Sequence, residues 1–435
     1  MAIRRSQGKH REWLVEVSLL SFSLLILTVL GLALLLWSVV HQRTTHVKIP
    51  AIDRFSEALP SIAGIARAEI LPGNRVRVLQ NGDGFFPVLL ADVLAARRSI
   101  DLETYVWWKG RICERVAGEL AAAARRGVEV RLTLDALGAH KADERLLARM
   151  RSAGCRIELY HPVRLRDLGL LNNRTHRKVA VIDGRIGYIF GHGIAAEWTG
   201  DAQDARHWRD TGLRIEGLAV NELQGAFVEN WEEETGEVLV GEKYFPALHP
   251  AGGSRVQVVA ASPHGGVSEI DLLLKMALAG AQRELLVENP YFIPDDELVE
   301  LLAHAVKRGV DVRIMVPGPV TDSALVEHAG HYYFTELLRA GVKLYVYRRT
   351  LLHQKVMIVD GLWSLVGSTN LDDRSIYIND EASAGVIDPA VAGQLKAAFL
   401  NDLRDSIEVK YGPWRARPLW HRLLDGASYL ANGEL

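Results

Sequence analysis

One short pattern occurs twice in this chain: His-x-Lys, four further residues, an Asp and a Gly. The first copy begins at His176 and the second at His353. Each copy continues as a run of β-branched residues closed by Gly, VAVIDG or VMIVDG, which predicts a buried strand that ends in a turn. Residues two apart on a strand share a face, so each His and the Lys that follows it, Lys178 or Lys355, should point to one common place.

The segments before the two copies repeat as well. ARRSIDLETYVWW, AAAARRGVEVRLTLD and LLARMRSAGCRIELY precede the first copy, and AQRELLVENPYFI, LLAHAVKRGVDVRIMVP and ELLRAGVKLYVY precede the second. Both series predict strand, helix, strand, helix and strand, so the chain is an internal duplication. We therefore expect an α/β fold of two lobes, each a mixed β-sheet flanked by helices. A lone His-x-Lys is weak evidence for a catalytic site because short motifs recur by chance, whereas two copies in duplicated lobes indicate a shared site.

Further motifs accompany the duplication. They are NRTHRK at 173–178, WRD at 208–210, GLAV at 217–220 followed by Phe227 and Trp231, NPYFIP at 289–294, and VGSTNLDDRS at 366–375 followed by Asn379 and Glu381. With them, roughly residues 75 to 410 resemble the phospholipase D superfamily, whose HKD motif is H-x-K-x4-D, and within it the bacterial cardiolipin synthases. One position departs from the family pattern. Where the first half usually reads Gly-Gly-x-Asn-Ile, residues 190–194 read Phe-Gly-His-Gly-Ile, so Gly193 replaces an Asn.

The resemblance implies phosphodiester chemistry through a phosphohistidine, with no metal or other cofactor. By analogy with the family, His176 attacks phosphorus, while His353 protonates the departing alkoxide and then deprotonates the incoming alcohol. The near symmetry of the halves leaves this assignment open from the residues alone. Lys178 and Lys355 would clamp the non-bridging phosphoryl oxygens, which carry the negative charge.

Four residues near the motifs are candidates to contact substrate. Asn370 would add an amide donor, and Ser368, two residues earlier, could add a hydroxyl. Gly193 has no side-chain donor, so either His192 or a backbone N–H would compensate for the missing Asn, or the first half would hold phosphate less tightly.

Four carboxylates are expected to act on structure or orientation. Asp210 and Glu381 follow the two motifs and are the candidates to hold the tautomer and orientation of the histidines. Asp183 and Asp360 belong to the motif, but they sit at strand-to-turn boundaries, where Asp commonly bonds turn backbone. We expect these two to be structural.

Apolar and aromatic residues suggest how lipid would approach the site. The candidates follow corresponding strands of the two repeats and are Tyr105, Val106, Trp107, Trp108, Tyr291, Phe292 and Ile293. Ordinary packing beneath loops is the alternative for them. The C-terminal segment WRARPLWHRLLDGASYL mixes Trp and Leu with Arg, which suits a membrane surface with anionic lipid or a docking segment.

Residues 17–40, VSLLSFSLLILTVLGLALLLWSVV, contain no charge and are long enough to cross a hydrocarbon core of about 30 Å, which predicts a transmembrane helix. A cleaved signal peptide is the alternative, but the apolar run exceeds the usual length and no small-x-small site follows. Basic residues are slightly more numerous before this span than after it. By the positive-inside rule, this small excess favours a cytoplasmic N-terminus and a catalytic body outside the inner membrane.

These features divide the chain into a short basic N-terminus (1–16), a transmembrane helix (17–40), a stalk (41–75), a first lobe (76–250), a second lobe (251–410) and a basic, aromatic tail (411–435). The formal net charge of −2 argues against an extended nucleic-acid surface, because duplex binding normally shows as a basic excess.

The resemblance implies a single-pass phosphatidyltransferase of the bacterial inner membrane. Its expected reaction makes cardiolipin and glycerol from two phosphatidylglycerol molecules, so its partners are phospholipids and the membrane, with no nucleic acid. A hydrolytic phospholipase D, a membrane-tethered nuclease and a catalytically weakened lipid-binding protein are the alternatives.

Overall fold

A computed structural model describes residues 21–32, 47–50, 52–162, 172–262 and 268–430. The chain divides into two compact units, residues 1–46 and 47–435. In the first unit, residues 21–32 form helix α1, whose side chains are exposed. The rest of the predicted span 17–40 lies outside the described residues, and no helix within the described ranges has the length and apolar character needed to cross a membrane.

The second unit contains both lobes. Its strands are β1 Leu71–Gln80, β2 Ser99–Thr104, β3 Glu129–Asp135, β4 Arg156–Tyr160, β5 Val179–Ile182, β6 Ile186–Phe190, β7 Thr211–Glu216, β8 Ser254–Ala261, β9 Glu284–Glu288, β10 Asp311–Pro317, β11 Lys343–Tyr347, β12 Val356–Val359, β13 Trp363–Gly367, β14 Glu381–Ile387 and β15 Ser406–Val409. Its helices are α2 Phe55–Ile65, α3 Asn81–Ala95, α4 Arg111–Arg125, α5 Glu144–Ser152, α6 Val220–Thr235, α7 Glu269–Gly280, α8 Asp296–Lys307, α9 Ala324–Gly330, α10 Phe334–Ala340, α11 Asp373–Tyr377, α12 Pro389–Asp402, α13 Tyr411–Arg415 and α14 Leu419–Tyr429.

The strands form one 15-stranded sheet in the order β15-β11-β10-β9-β12-β13-β14-β8-β1-β7-β6-β5-β2-β3-β4. Reading outward from the centre, β1-β7-β6-β5-β2-β3-β4 and β8-β14-β13-β12-β9-β10-β11 repeat the same order. In both repeats the last three strands of this order are parallel to one another and the others pair antiparallel, so each half is a mixed sheet. At the edge of the second half, β15 pairs antiparallel with β11. The predicted duplicated α/β fold is confirmed, and β1 joins β8 at the centre.

Local sequence explains how corresponding helices begin and end. The side chain of Asp295 caps α8 by accepting from the Leu298 N–H, which satisfies one of the unpaired donors at the helix start. Gly127 after α4 and Gly309 after α8 have φ values of 90° and 92°, which glycine adopts without strain. Both helices therefore end at an Arg-Gly-Val sequence, residues 126–128 and 308–310.

Apolar packing places the two motifs next to each other. One core cluster fills each lobe, and a third lies between them and includes Val179 and Val181 of β5 with Val356 and Ile358 of β12. The two strands that carry the His-x-Lys motifs therefore share an interface between the lobes. Burial of these β-branched side chains stabilises that arrangement.

Helices also form in the segments that flank the two predicted lobes. The predicted stalk contains α2, whose Phe55, Leu59 and Ile62 are part of the second lobe's core, because its apolar face packs against α7. The predicted tail is also folded, as α13 and α14, and α14 packs against α9.

Candidate active site

Both His-x-Lys segments stand at the carboxyl ends of the parallel strands. Lys178 directly precedes β5 and Lys355 directly precedes β12, and these strands run antiparallel to β2 and β9. The residue between His and Lys faces elsewhere, as the strand spacing predicted. Arg177 donates to the Ala226 carbonyl at 2.7 Å, and Gln354 accepts from the Thr211 hydroxyl at 2.6 Å.

Each histidine is held by a carboxylate from the other lobe. His176 Nδ1 lies 2.8 Å from Glu381 Oε1, and His353 Nδ1 lies 2.7 Å from Asp210 Oδ2. A carboxylate at Nδ1 fixes the proton there and leaves Nε2 available for chemistry. The sequence indicated both carboxylates as orienting candidates, and the structure pairs each one with the histidine of the opposite motif.

Main-chain hydrogen bonds join the two lobes at both histidines. The His176 N–H donates to the Asp380 carbonyl at 2.8 Å, one residue before Glu381. The His353 N–H donates to the Arg209 carbonyl at 2.8 Å, the equivalent position before its own carboxylate partner. A short parallel pairing between the two lobes therefore places each carboxylate beside the histidine of the opposite motif.

The two lysines are buried beside their histidines. Lys178 Nζ donates to the His176 carbonyl at 2.9 Å, and Lys355 Nζ donates to the His353 carbonyl at 2.6 Å. Their residues are only 1% and 5% exposed, so two ammonium groups meet in a site that excludes most water. Such a site attracts an anion strongly, because the attraction between charges grows as water is removed.

Burial and neighbouring charge shift the ionisable groups. Burial and the charge of Lys355 lower the pKa of Lys178 to about 7, and burial lowers the pKa of Lys355 to about 8. Burial, only partly offset by Glu381, lowers the pKa of His176 to about 4. Burial and both lysines also lower the pKa of His353 well below its usual value. Both imidazoles are therefore neutral near pH 7 before an anion arrives.

The motifs open into a cavity of about 240 Å³. The described lining residues are Tyr105, Val106, Trp108, His176, Lys178, Trp198, Trp208, Tyr291, Asp322, His353, Asn370, Asp372, Arg374, Ser375 and Asn379. The lining combines aromatic residues with polar and charged ones. This combination suits an amphiphile whose polar group reaches the histidines.

The structure separates the roles of Asn370 and Ser368. Asn370 lines the cavity, and its side-chain oxygen has no hydrogen-bond partner among the described residues. Ser368 is fully buried, and its hydroxyl donates a short hydrogen bond to Glu381. Together with His176 and Lys178, this bond holds the pKa of Glu381 below its usual value although burial would raise it. Ser368 thus positions a carboxylate instead of making the substrate contact that the sequence suggested.

Gly193 and His192 also differ from expectation. A Cβ on Gly193 would lie 2.8 Å from both the Trp198 ring and Val106 Cβ, so the glycine is required by close packing. His192 is fully buried and stacks on Phe85 at 4.3 Å, outside the described cavity lining. The sequence-based idea that His192 supplies the missing donor is therefore wrong, because its ring lies in the apolar core of the first lobe.

The third residue of each motif supports the sheet. Asp183 accepts from the N–H groups of residues 97–99, and Asp360 accepts from those of residues 282–284. Their φ values are 54° and 55°, and each is followed by a glycine of positive φ in a tight hairpin turn. They bond the start of the neighbouring strand rather than their own turn.

Only some of the residues predicted to form an apolar path for lipid line the cavity. Tyr105, Val106, Trp108 and Tyr291 line the cavity, whereas Trp107, Phe292 and Ile293 are buried in core packing.

Sequence reasoning missed Trp198 and Asp322. Trp198 donates its indole N–H to Asp210 at 2.8 Å and packs edge-on against His353 at 5.0 Å. Asp322 accepts from the Tyr291 hydroxyl at 2.6 Å at the cavity wall. Trp198 occupies a polar, glycine-containing loop, where so large an aromatic is a signal for burial or binding.

Comparison with known proteins identifies relatives across most of the chain. The family profile described as "Cardiolipin synthase, PLD-like domain" matches residues 89–205 and 274–403. A cardiolipin synthase of Geobacillus sp. (strain WCH70) is 36% identical over 369 residues, which is 84% of this chain and 73% of that protein. The major cardiolipin synthase ClsA of Bacillus subtilis (strain 168) is 33% identical over 82% of this chain and 74% of its own length.

Solved structures share the fold at low sequence identity. Phosphatidylserine synthase of Haemophilus influenzae Rd KW20 matches 87% of this chain and 100% of its own, with a TM-score of 0.64 and 14% identity. Polyphosphate kinase of Porphyromonas gingivalis matches 89% of this chain and 57% of its own, with a TM-score of 0.53 and 16% identity.

Proposed function

Because this chain belongs to the cardiolipin synthase family of phospholipase D-like proteins, we propose that it joins two phosphatidylglycerol molecules into cardiolipin and releases glycerol. The observation that carries the proposal is the pair of histidines, each held at Nδ1 by a carboxylate, beside two buried lysines in a partly aromatic cavity. These groups supply a nucleophile, a proton carrier and phosphate-binding charge.

In the first step, His176 Nε2 attacks phosphorus of the donor lipid. The bond from phosphorus to the headgroup glycerol breaks, and His353 gives that oxygen its proton, so glycerol leaves and a phosphatidyl-histidine remains. His353 must be protonated for this step. The bound diester anion offsets the charges of Lys178 and Lys355, which raises the imidazole pKa and allows the proton to be taken up.

In the second step, the headgroup hydroxyl of another phosphatidylglycerol enters. His353 removes its proton, the oxygen attacks phosphorus, and the bond to His176 breaks. Cardiolipin leaves and both side chains return to their starting states, apart from the proton that His353 now carries. Lys178, Lys355 and Asn370 stabilise the phosphoryl oxygens throughout.

The hydrolytic alternative differs only in the acceptor, because water would replace the second lipid. The purified chain is given phosphatidylglycerol radiolabelled in its headgroup glycerol. We expect half of the consumed label to remain in cardiolipin and half to leave as glycerol. Release of all consumed label together with phosphatidic acid would identify a hydrolase, and cleavage of oligonucleotides without lipid turnover would identify a nuclease. A chain that binds lipid without turnover would be a binding protein.

We further propose that residues 17–40 anchor the enzyme in the bacterial inner membrane with the lobes outside. The uncharged length of this segment supports the proposal, as do the presence of Trp13 and Trp37 near its two ends in the sequence and the small excess of basic residues before it. Deleting residues 1–45 should leave both lobes folded, because they belong to a separate compact unit. The truncated protein should then be released by alkaline washing. Retention after both high salt and alkali would mean that another segment is integral.

A further inference from the structure

The C-terminal helix α14 turns its polar side toward the protein. The buried residues of α14 are Asp425 and Ser428. Leu419, Trp420 and Leu423, in contrast, are 72%, 59% and 74% exposed. A surface helix of a globular protein normally buries its apolar face and exposes its polar face. This inverted arrangement leaves an apolar stripe that a further partner would cover.

The helix is held firmly in this orientation. Asp425 Oδ1 lies 3.0 Å from His328 Nδ1 on α9, and Asp425 Oδ2 accepts from Arg417 at 2.9 Å. At the other end, the Tyr429 ring stacks on Tyr332 with centroids 4.3 Å apart and an angle of 8°. The apolar stripe therefore points outward because the opposite face is bonded to the body of the enzyme.

Basic side chains flank the apolar stripe. Arg415 and Arg422 are exposed. A groove of about 350 Å³ lies beside α14. Its lining residues are His331, Tyr332, Thr335, Arg417, Leu419, Arg422, Leu423 and Asp425. An apolar stripe bordered by cations is the composition of a helix that lies in the interface of an anionic bilayer.

Helix α14 packs beside residues that line the active-site cavity. Asp322 lines that cavity and stands just before α9, on which α14 packs. Tyr291 also lines the cavity, and it packs in the same small apolar cluster as Val326 and Tyr429. A membrane bound at α14 would therefore sit near the site that must receive lipid.

We propose that α14 is a bilayer-docking helix that seats the cavity entrance on an anionic membrane. Leu419, Trp420 and Leu423 enter the boundary between headgroups and acyl chains, and Arg422 contacts lipid phosphates. The proposal rests on the proposed function insofar as the substrates are bilayer lipids. Charge favours a bilayer over a second copy of this chain, because exposed arginines would repel their copies across an isologous contact.

The first test measures insertion in the full-length protein. Leu423→Cys is labelled with an environment-sensitive fluorophore, which should react there selectively because Cys113 and Cys155 are buried. Val240→Cys, at a residue 72% exposed, is the matched control. In vesicles containing phosphatidylglycerol, emission at position 423 should shift to the blue, and emission at 240 should not. Equal shifts at both positions, or none, would overturn the proposal. A shift without lipid that grows with protein concentration would assign the face to a second copy.

The second test measures the consequence for turnover. Leu419→Asp combined with Leu423→Asp should reduce cardiolipin formation in vesicles by about tenfold. Turnover of a short-chain, water-soluble phosphatidylglycerol should be unchanged, and Val240→Asp should affect neither rate. Unchanged vesicle turnover in the double variant would refute docking. If wild type turns over neither lipid, the proposed function fails, while the fluorescence shift still decides the membrane contact.

Discussion

The two halves of the active site orient their histidines alike but meet the substrate differently. The register of the hairpins β5–β6 and β12–β13 makes Gly193 the counterpart of Asn370, and Gly191 the counterpart of Ser368. In the second half, the amide lines the cavity and the hydroxyl supports Glu381. In the first half, glycines occupy both positions.

Trp198 explains why the first half needs those glycines. Its ring fills the space beside Gly193, and its indole N–H bonds Asp210. A Cβ on Gly191 would lie 2.1 Å from Asp210 Oδ1, so a serine there could not coexist with this carboxylate. Duplication therefore preserved the exchange of carboxylates between lobes, while one half keeps an amide donor and the other has an aromatic wall around His353.

The largest loss of turnover is expected when either histidine is removed, and a substrate with a good leaving group distinguishes their roles. His176→Ala and His353→Ala should each lower turnover on the order of a thousandfold or more, because they act in one coupled cycle. A phosphatidyl ester of p-nitrophenol needs no proton on its leaving group. His353→Ala should therefore still release nitrophenol in a first turnover, whereas His176→Ala should not. The opposite result would exchange the two roles. Chelators should leave wild-type turnover unchanged.

The next largest effects are expected from substitutions of Asn370 and Gly193. Asn370→Ala should lower turnover by about a hundredfold, as expected for losing one transition-state donor. Gly193→Asn should not give the first half an amide donor equivalent to Asn370, because the asparagine side chain would collide with Val106 and Trp198. We expect about 1–3 kcal/mol of destabilisation in denaturant unfolding, together with lost activity.

Gly118→Ala is the control for the glycine, because no described atom outside its own helix lies within 4 Å of a Cβ there. It should be neutral or slightly stabilising in the middle of α4. If Gly193→Asn folds with wild-type stability and turnover increases, the packing explanation is wrong.

The lowered pKa values of the two lysines predict that anion binding depends on pH. Their pKa values, about 7 for Lys178 and about 8 for Lys355, mean that the pair loses positive charge as pH rises through this range. Affinity for dimethyl phosphate should fall on the order of tenfold per pH unit once one lysine is neutral. Calorimetry in two buffers should show proton uptake on binding, since an anion favours the charged amine. In Lys178→Met the decline should begin at a higher pH, because Lys355 no longer has a second positive charge beside it; an unchanged onset would contradict repulsion between the two lysines.

The smallest expected effect compares the supports of the orienting carboxylates. Trp198→Phe removes the donor to Asp210 but keeps an aromatic ring, and Ser368→Ala removes the donor to Glu381. Each should reduce kcat by about fivefold, the typical net value of one hydrogen bond, with little change in KM. A much larger loss in Trp198→Phe alone would show that the ring itself contacts substrate.

The sequence by itself determined the duplicated lobes and the shared direction of each His and Lys. Both follow from local rules, since residues two apart on a strand share a face and repeated patterns fold alike. Only the tertiary structure decided which carboxylate holds which histidine, because His176 and Glu381 are 205 residues apart and His353 and Asp210 are 143 apart. It likewise decided that Gly193 serves packing and that α14 faces its leucines outward, because both depend on which surfaces meet after the chain has folded.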